Sequence, residues 1–319
     1  MRANVTESWY DRLAIYPIQS HRGLGDTTLD LIYRYDPYRP IVLRRPADST
    51  AAVRELLEGN GRLVNLVRRM QRAVFDEEPG EKSLVVPIDL LSMGLPFCAG
   101  SASDQLPFAL VRGCSDARVP IESIFDQTFN DLFVVRIAGN VLATECIGSF
   151  DYAVRNLGKS LKAVVVLGHT GCGAVTAAVD AYLSPNAYAD IAFSHPLRSL
   201  VDRIMIAARG AASALGRRHG EAIKTHPEYR SLLIEAAAYL NAAITAFDLK
   251  REVTAFHDNQ IDVFYGVCDI GTMLVRACPL EGRIEPELKL APQDADDLMA
   301  LTSQLVDVLD NRLAVPPSD

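Results

Sequence analysis

Residues 163–172 read AVVVLGHTGC, an unbroken apolar run that delivers a histidine and a cysteine at its carboxyl end. A run this short, rich in valine and closed by glycine, fits a strand buried on both faces. Such strands belong to parallel sheets covered by helices on each side. Three further runs share the pattern: 108–112 (FALVR), 132–137 (LFVVRI) and 263–267 (VFYGV). Between them the period turns helical. Leu197, Leu200, Val201 and Ile204 fall on one helix face, as do Leu232, Leu233, Ala236 and Leu240. Another helix is expected to start with Ser49 or Thr50 as N-cap and to run through Val53, Leu56 and Leu57. Strands alternating with helices predict an α/β fold, a mainly parallel central sheet flanked by helices, with sites at the strands' carboxyl ends.

The flanks read differently. Residues 1–48 mix aromatics, prolines and charges without a sustained period and are read as an N-terminal arm. Residues 49–283 form the α/β domain, and 284–319 a C-terminal acidic helical extension. In that extension Leu298, Leu301, Leu305 and Leu309 recur every three or four residues, which predicts a helix packed on the domain or on a partner subunit.

The net charge of −8, with no long basic run, points away from nucleic acid as a partner. No apolar stretch reads as long enough to span a membrane, and the opening MRANVTESWYDRLAIYPIQSHRG lacks the layout of a secretory signal. The chain is therefore expected in the cytoplasm. Six cysteines in 319 residues are too few for a disulfide scaffold, so metal binding or plain burial is expected of them.

Imidazole and thiolate are both good zinc ligands, and the two residues between His169 and Cys172 let one turn bring both to a single ion. Alone, such a pair is more often a buried thiol beside a satisfied histidine. The stretch CSDAR (114–118) changes the balance, because it too follows a buried run. Parallel strands share one carboxyl edge, so Cys114 can approach His169 and Cys172. Three protein ligands are the mark of a catalytic zinc site, which leaves its fourth place to water; structural sites close with a fourth residue. Cys98, Cys146 and Cys268 show no paired ligand spacing that would close it, and Cys146 and Cys278 read as core or surface thiols. Zinc lowers the pKa of bound water from ~15.7 to about 7, which yields hydroxide at neutral pH. Asp116 and Arg118, two apart in an extended segment, lean the same way and can form a bidentate pair. The carboxylate would then either accept a hydrogen bond from zinc-bound hydroxide or swing in to occupy the fourth position.

CSDAR with HTGC resembles the β-class carbonic anhydrase pair CxDxR and HxxC, in order and in spacing. The segments 119–140 (VPIESIFDQTFNDLFVVRIAGN), 148–175 (GSFDYAVRNLGKSLKAVVVLGHTGCGAV) and 56–64 (LLEGNGRLV) are similar to family segments around those motifs. The resemblance covers roughly 50–280 and is strongest over 105–175. It implies a Zn²⁺ enzyme that interconverts CO₂ and bicarbonate, assembled as a homodimer or a multiple of it. Cys114, His169 and Cys172 match the zinc ligands, and Asp116 with Arg118 the dyad. Gln105, Phe133, Ala138, Tyr152 and Gly173 match substrate-pocket positions, and Phe133 and Tyr152 serve the neighbouring subunit's pocket if the family's arrangement holds. On residues alone Phe133 and Tyr152 are core positions, whereas Gln105, a polar amide ahead of a buried strand, needs a partner.

Members with a bicarbonate-closed state carry a tryptophan where Val111 stands and a tyrosine near the last strand, where Cys268 stands. These departures predict a metal site that rests open to water. Two competing functions share the residues: hydrolysis of carbonyl sulfide or carbon disulfide on the same constellation, and a non-catalytic zinc scaffold whose N- or C-terminal extension docks a protein partner. Activity on the three substrates separates the first, and the presence of the whole dyad argues against the second.

Overall fold

The four apolar runs become the parallel core of one sheet. This computed structural model describes residues 30–35, 45–75, 83–88, 104–192, 194–256, 261–279 and 284–313. The strands are β1 (Asp30–Tyr35), β2 (Ser83–Ile88), β3 (Ala109–Gly113), β4 (Leu132–Arg136), β5 (Ala163–His169), β6 (Asp262–Cys268), β7 (Val275–Arg276) and β8 (Lys289–Leu290). The main sheet runs β4-β3-β5-β6-β7, with β8 also pairing β6. Its first three pairings are parallel, and β7 and β8 add antiparallel ends. All seven residues of β5 are buried, as its unbroken apolar run requires of a central strand.

Alternation along the strands divides the core. The helices are α1 (Ser49–Phe75), α2 (Ile121–Ile124), α3 (Thr144–Leu157), α4 (Gly173–Leu183), α5 (Pro185–Ala192), α6 (His195–His219), α7 (Tyr229–Phe256) and α8 (Ala295–Leu313). Leu110, Val164 and Val166 pack with Phe150 of α3 and Tyr239 and Ala242 of α7. The opposite face, with Ala109, Val111, Val165 and Leu167, packs with Ala52 and Leu56 of α1 and Ile121 and Ile124 of α2. A third cluster joins Cys114 and Cys172 to α4, α6 and α7.

Several sequence expectations shift. The N-cap of α1 is Asp48, whose Oδ1 accepts a hydrogen bond from the Ala51 amide at 2.8 Å. Ser49 instead donates its hydroxyl to Asp262 Oδ2. In α6 the buried face begins at Val201, and Leu197 is exposed. The arm, expected to be irregular, contributes β1, which pairs in parallel with β2 in a separate two-stranded sheet. Residues 1–29 and 36–44 of the arm lie outside the described residues, as does Cys98. In α8, Leu301, Leu305 and Leu309 are buried against the domain, each stabilising it by about 1.5–3 kcal/mol. One helical segment, Tyr229–Glu252 within α7, is long and apolar enough to cross a membrane, contrary to the sequence reading. It is 72% buried, as a core helix is.

The stretch LLEGNGRLV is explained by close packing of α1. A Cβ on Gly59 would lie 1.8 Å from Phe125 O, so only glycine permits the approach. Beside it Asn60, fully buried, donates to Ile124 O at 3.0 Å and to Met273 O at 2.8 Å, and accepts from the Val275 amide at 2.9 Å. One amide therefore ties α1 to α2 and to the loop after β6. Asn60→Ala strands two buried backbone groups and one half-buried one, and is expected to lower stability by about 3 kcal/mol. Urea unfolding checks this; a change below about 1 kcal/mol would mean that water replaces the amide.

Candidate metal centre

Two strand ends supply the site. Cys114 follows β3, His169 ends β5, and Cys172 caps α4, where the chain turns from strand to helix. Their ligand atoms all lie within 4.8 Å of one another, and all three residues are buried. The two sulfurs are 4.0 Å apart. Tetrahedral zinc, with bonds of about 2.3 Å to sulfur and about 2.0 Å to nitrogen, sets its ligand atoms about 3.4–3.8 Å apart, so small shifts would seat it. His169 Nδ1 lies 2.9 Å from Thr170 O; donating there leaves the Nε2 lone pair free. That Nε2 is buried without a hydrogen-bond partner, as a metal ligand's nitrogen would be in the bare protein. The residues fit zinc.

The sulfurs sit where negative charge is supported. The Cys114 thiol is drawn far below its ordinary range, chiefly by the hydrogen bond from Cys172, with His169 and the amides of Asp116 and Gly139 contributing. The amide of Gly139 lies 3.3 Å from Cys114 Sγ. Cys172, left with the shared proton, moves upward through that same contact and through burial. Among the described residues no fourth cysteine or histidine joins the group. Cys268 is opposite His169 in the sheet, but burial pushes its thiol up to about 12, which keeps it neutral.

Asp116 and Arg118 form the bidentate pair that their spacing suggested. Arg118 Nε reaches Asp116 Oδ1 at 3.0 Å and Nη2 reaches Oδ2 at 2.7 Å, while the Arg118 amide also donates to Oδ1 at 2.9 Å. These bonds hold the Asp116 carboxyl well below the usual carboxylate range. Its Oδ2 stands 3.8 Å from His169 Nε2, at the border of the triad. Arg118 Nη2 also donates to Gly171 O at 3.2 Å, so one guanidinium spans both motifs.

The pocket positions are less united. Phe133 and Tyr152 lie against each other, ring centres 6.4 Å apart, with Tyr152 52% exposed. Phe133 packs on the α3 and α7 side, whereas Cys114 and Cys172 belong to the cluster under α4 and α6. Ala138 opens the 3₁₀ turn beside the triad, and Gly173 is exposed directly after Cys172. Gln105 is exposed, so solvent meets its amide and the expected buried partner is not needed. The residue that fixes this segment is Asn130, which accepts from the Leu106 amide at 2.9 Å and donates to Asp104 O at 2.8 Å.

Sequence reasoning missed three supporting residues. Arg136 donates to Cys114 O at 2.9 Å and to Asp116 O at 2.6 Å, holding the first motif from the adjacent strand. An arginine closing the apolar run LFVVR was the available signal. Gly139 supplies the amide to Cys114, and Asn241 of α7 donates to Gly139 O at 2.9 Å. Nothing local marks Asn241, since its partner is 102 residues away.

Residues 109–243 match the family model described as carbonic anhydrase. Carbonic anhydrase 2 of Mycobacterium tuberculosis is 42% identical over 125 residues, 38% of this chain and 53% of that protein. The carbonic anhydrase of Mycolicibacterium smegmatis is 47% identical over 90 residues, 28% of this chain and 43% of that one. The chain thus spans about half the length of the curated relatives it matches. Among solved structures, Coccomyxa β-carbonic anhydrase in complex with acetazolamide is 22% identical, with a TM-score of 0.43, over 68% of this chain and 87% of that one. The resemblance carried by CSDAR and HTGC therefore holds on the matched segment.

Proposed function

We propose that this chain is a zinc-dependent carbonic anhydrase that interconverts CO₂ and bicarbonate at Cys114, His169 and Cys172. The observation that carries the reading is the three-ligand cluster with an ionised carboxylate locked beside it. A structural zinc site has no use for such a dyad. Zinc, when bound, supplies the Lewis acid that makes water nucleophilic near neutral pH.

The protein's own residues do the rest. Cys114 brings thiolate charge, which Gly139 supports through its amide, and Cys172 would add its own on giving up the shared proton to a metal. Asp116 presents an acceptor at the border of the triad, where it orients a hydrogen-bond donor. Arg118 grips both carboxylate oxygens, and swinging Asp116 inward would break that grip. The pairing supports a resting site open to water, in keeping with Val111 and Cys268 at the departing positions. Asp116→Asn should keep its zinc and lose rate by about 10–100-fold. Stopped-flow CO₂ hydration with metal analysis on the same preparation reads both; full activity in the variant would remove Asp116 from the reaction. Turnover of CO₂ above carbonyl sulfide and carbon disulfide separates the carbonic anhydrase from a hydrolase on the same site.

Assembly as a homodimer or larger oligomer is part of the reading. Among the described residues strand β4 is an open edge of the main sheet, and Tyr152 and Phe129 (64% exposed) lie bare on α3 and before β4. Apolar surface beside an unpaired strand edge suits a second copy. The five cysteines among the described residues are free, which supports a reducing, cytoplasmic setting.

A further inference from the structure

Arg112 projects from β3 into the core and is wholly buried. Its Nε donates to Asn140 O at 3.2 Å, and its guanidinium carbon lies 6.0 Å from the centre of the Phe150 ring. Neither terminal nitrogen has a hydrogen-bond partner. The Nδ2 of Asn140, itself 2% exposed, is unpartnered too. The sulfur of Cys146 is beside the guanidinium, but a thiol is a weak acceptor and carries no compensating charge when protonated. Among the described residues no carboxylate pairs with Arg112.

A guanidinium keeps its proton, so its burial calls for a counter-charge. A second arginine adds to the demand. Arg203 Nη1 donates to Leu142 O at 2.8 Å, so two guanidinium groups cap one short loop. Asn241 holds the same loop through Gly139 O, and its amide lies 3.4 Å from Asn140 Oδ1. Leu142, Arg203 and Asn241 also line a cavity of about 450 Å³ on the outer side of this loop.

We propose that Arg112 and Asn140 hold a small inorganic anion, a halide or compact oxyanion, inside the fold. The two unpartnered Arg112 nitrogens offer only donors, and the unpartnered Asn140 amide belongs to the residue whose carbonyl Arg112 already reaches, which suits an anion better than a water that must also donate. The burial of Arg112 and the Phe150 ring beside its guanidinium restrict the occupant to a small species. Asn140 follows Gly139, whose amide reaches Cys114, so the anion braces the turn that supports the metal ligand. The site is independent of the CO₂ reading, because it contains no zinc ligand.

Crystals of the full chain grown in sodium bromide give a direct test by anomalous scattering. A bromide peak within hydrogen-bond reach of the Arg112 terminal nitrogens is expected. A water there, or the Cys146 sulfur in contact with no bromide, overturns the proposal. In solution, the wild-type Tm should rise by a few degrees and saturate with bromide or nitrate, relative to gluconate at equal ionic strength. Arg112→Met should lose that response. Should that variant fail to fold, Asn140→Asp places a carboxylate at the site and should abolish the bromide peak. A peak unchanged in Asn140→Asp, or a wild-type Tm indifferent to the anion, also counts against it.

Discussion

Cys172→Ser is expected to abolish zinc binding and CO₂ hydration together, while leaving a folded chain. Serine matches cysteine in shape, but its neutral hydroxyl is a poor zinc ligand beside a thiolate. With only three protein ligands, the loss of one leaves His169 and Cys114, and no other cysteine or histidine among the described residues is placed to replace it. Without metal, water keeps a pKa of ~15.7 rather than about 7, so the rate should fall to the uncatalysed one. The sheet should survive, because β5 is held by β3 and β6 along its buried length and not by the metal. Metal content, stopped-flow hydration and circular dichroism on one preparation decide it. A variant that retains one zinc per chain and its activity would place the metal elsewhere.

The same contrast explains what was legible in the sequence. Strands β3, β5 and β6 were visible because a strand inside a parallel sheet is largely apolar on both faces, and β4, at the end of the sheet order, still carries the apolar run LFVV. The triad was visible because Cys114 and His169 close such runs and Cys172 follows within one turn of His169. The short strand β1 was not, since DLIYRY interrupts its apolar residues with Asp30 and Arg34 and its partner lies some fifty residues further along. The cap at Asp48 was missed by one residue, because Ser49 and Thr50 are equally good capping types and only the amide geometry distinguishes them. Gln105 was singled out for a need that its exposure removes. The supports of the site, Arg136, Gly139 and Asn241, act across strands and helices, so only the fold brings them to Cys114.

Gly139→Ala tests that hidden support. Gly139 has φ +66°, in the left-handed region, and its amide points at Cys114 Sγ. An alanine there costs roughly 1–2 kcal/mol in backbone strain alone. Its Cβ would also stand 2.5 Å from Ile204 Cδ1 and 3.0 Å from Ala174 Cβ, an overpacking that typically costs about 1–3 kcal/mol. A loss of roughly 2–5 kcal/mol in stability is expected, with weaker zinc retention as the turn moves off Cys114. The two causes can be separated. Ile204→Val deletes the methyl that meets the new Cβ most closely, so in the Gly139→Ala background it should restore part of the loss and leave the backbone share. Denaturant unfolding of both single variants and the double closes the cycle. Strict additivity, with no rescue by Ile204→Val, would mean that the turn relaxes away from Ile204 and that backbone strain is the whole effect.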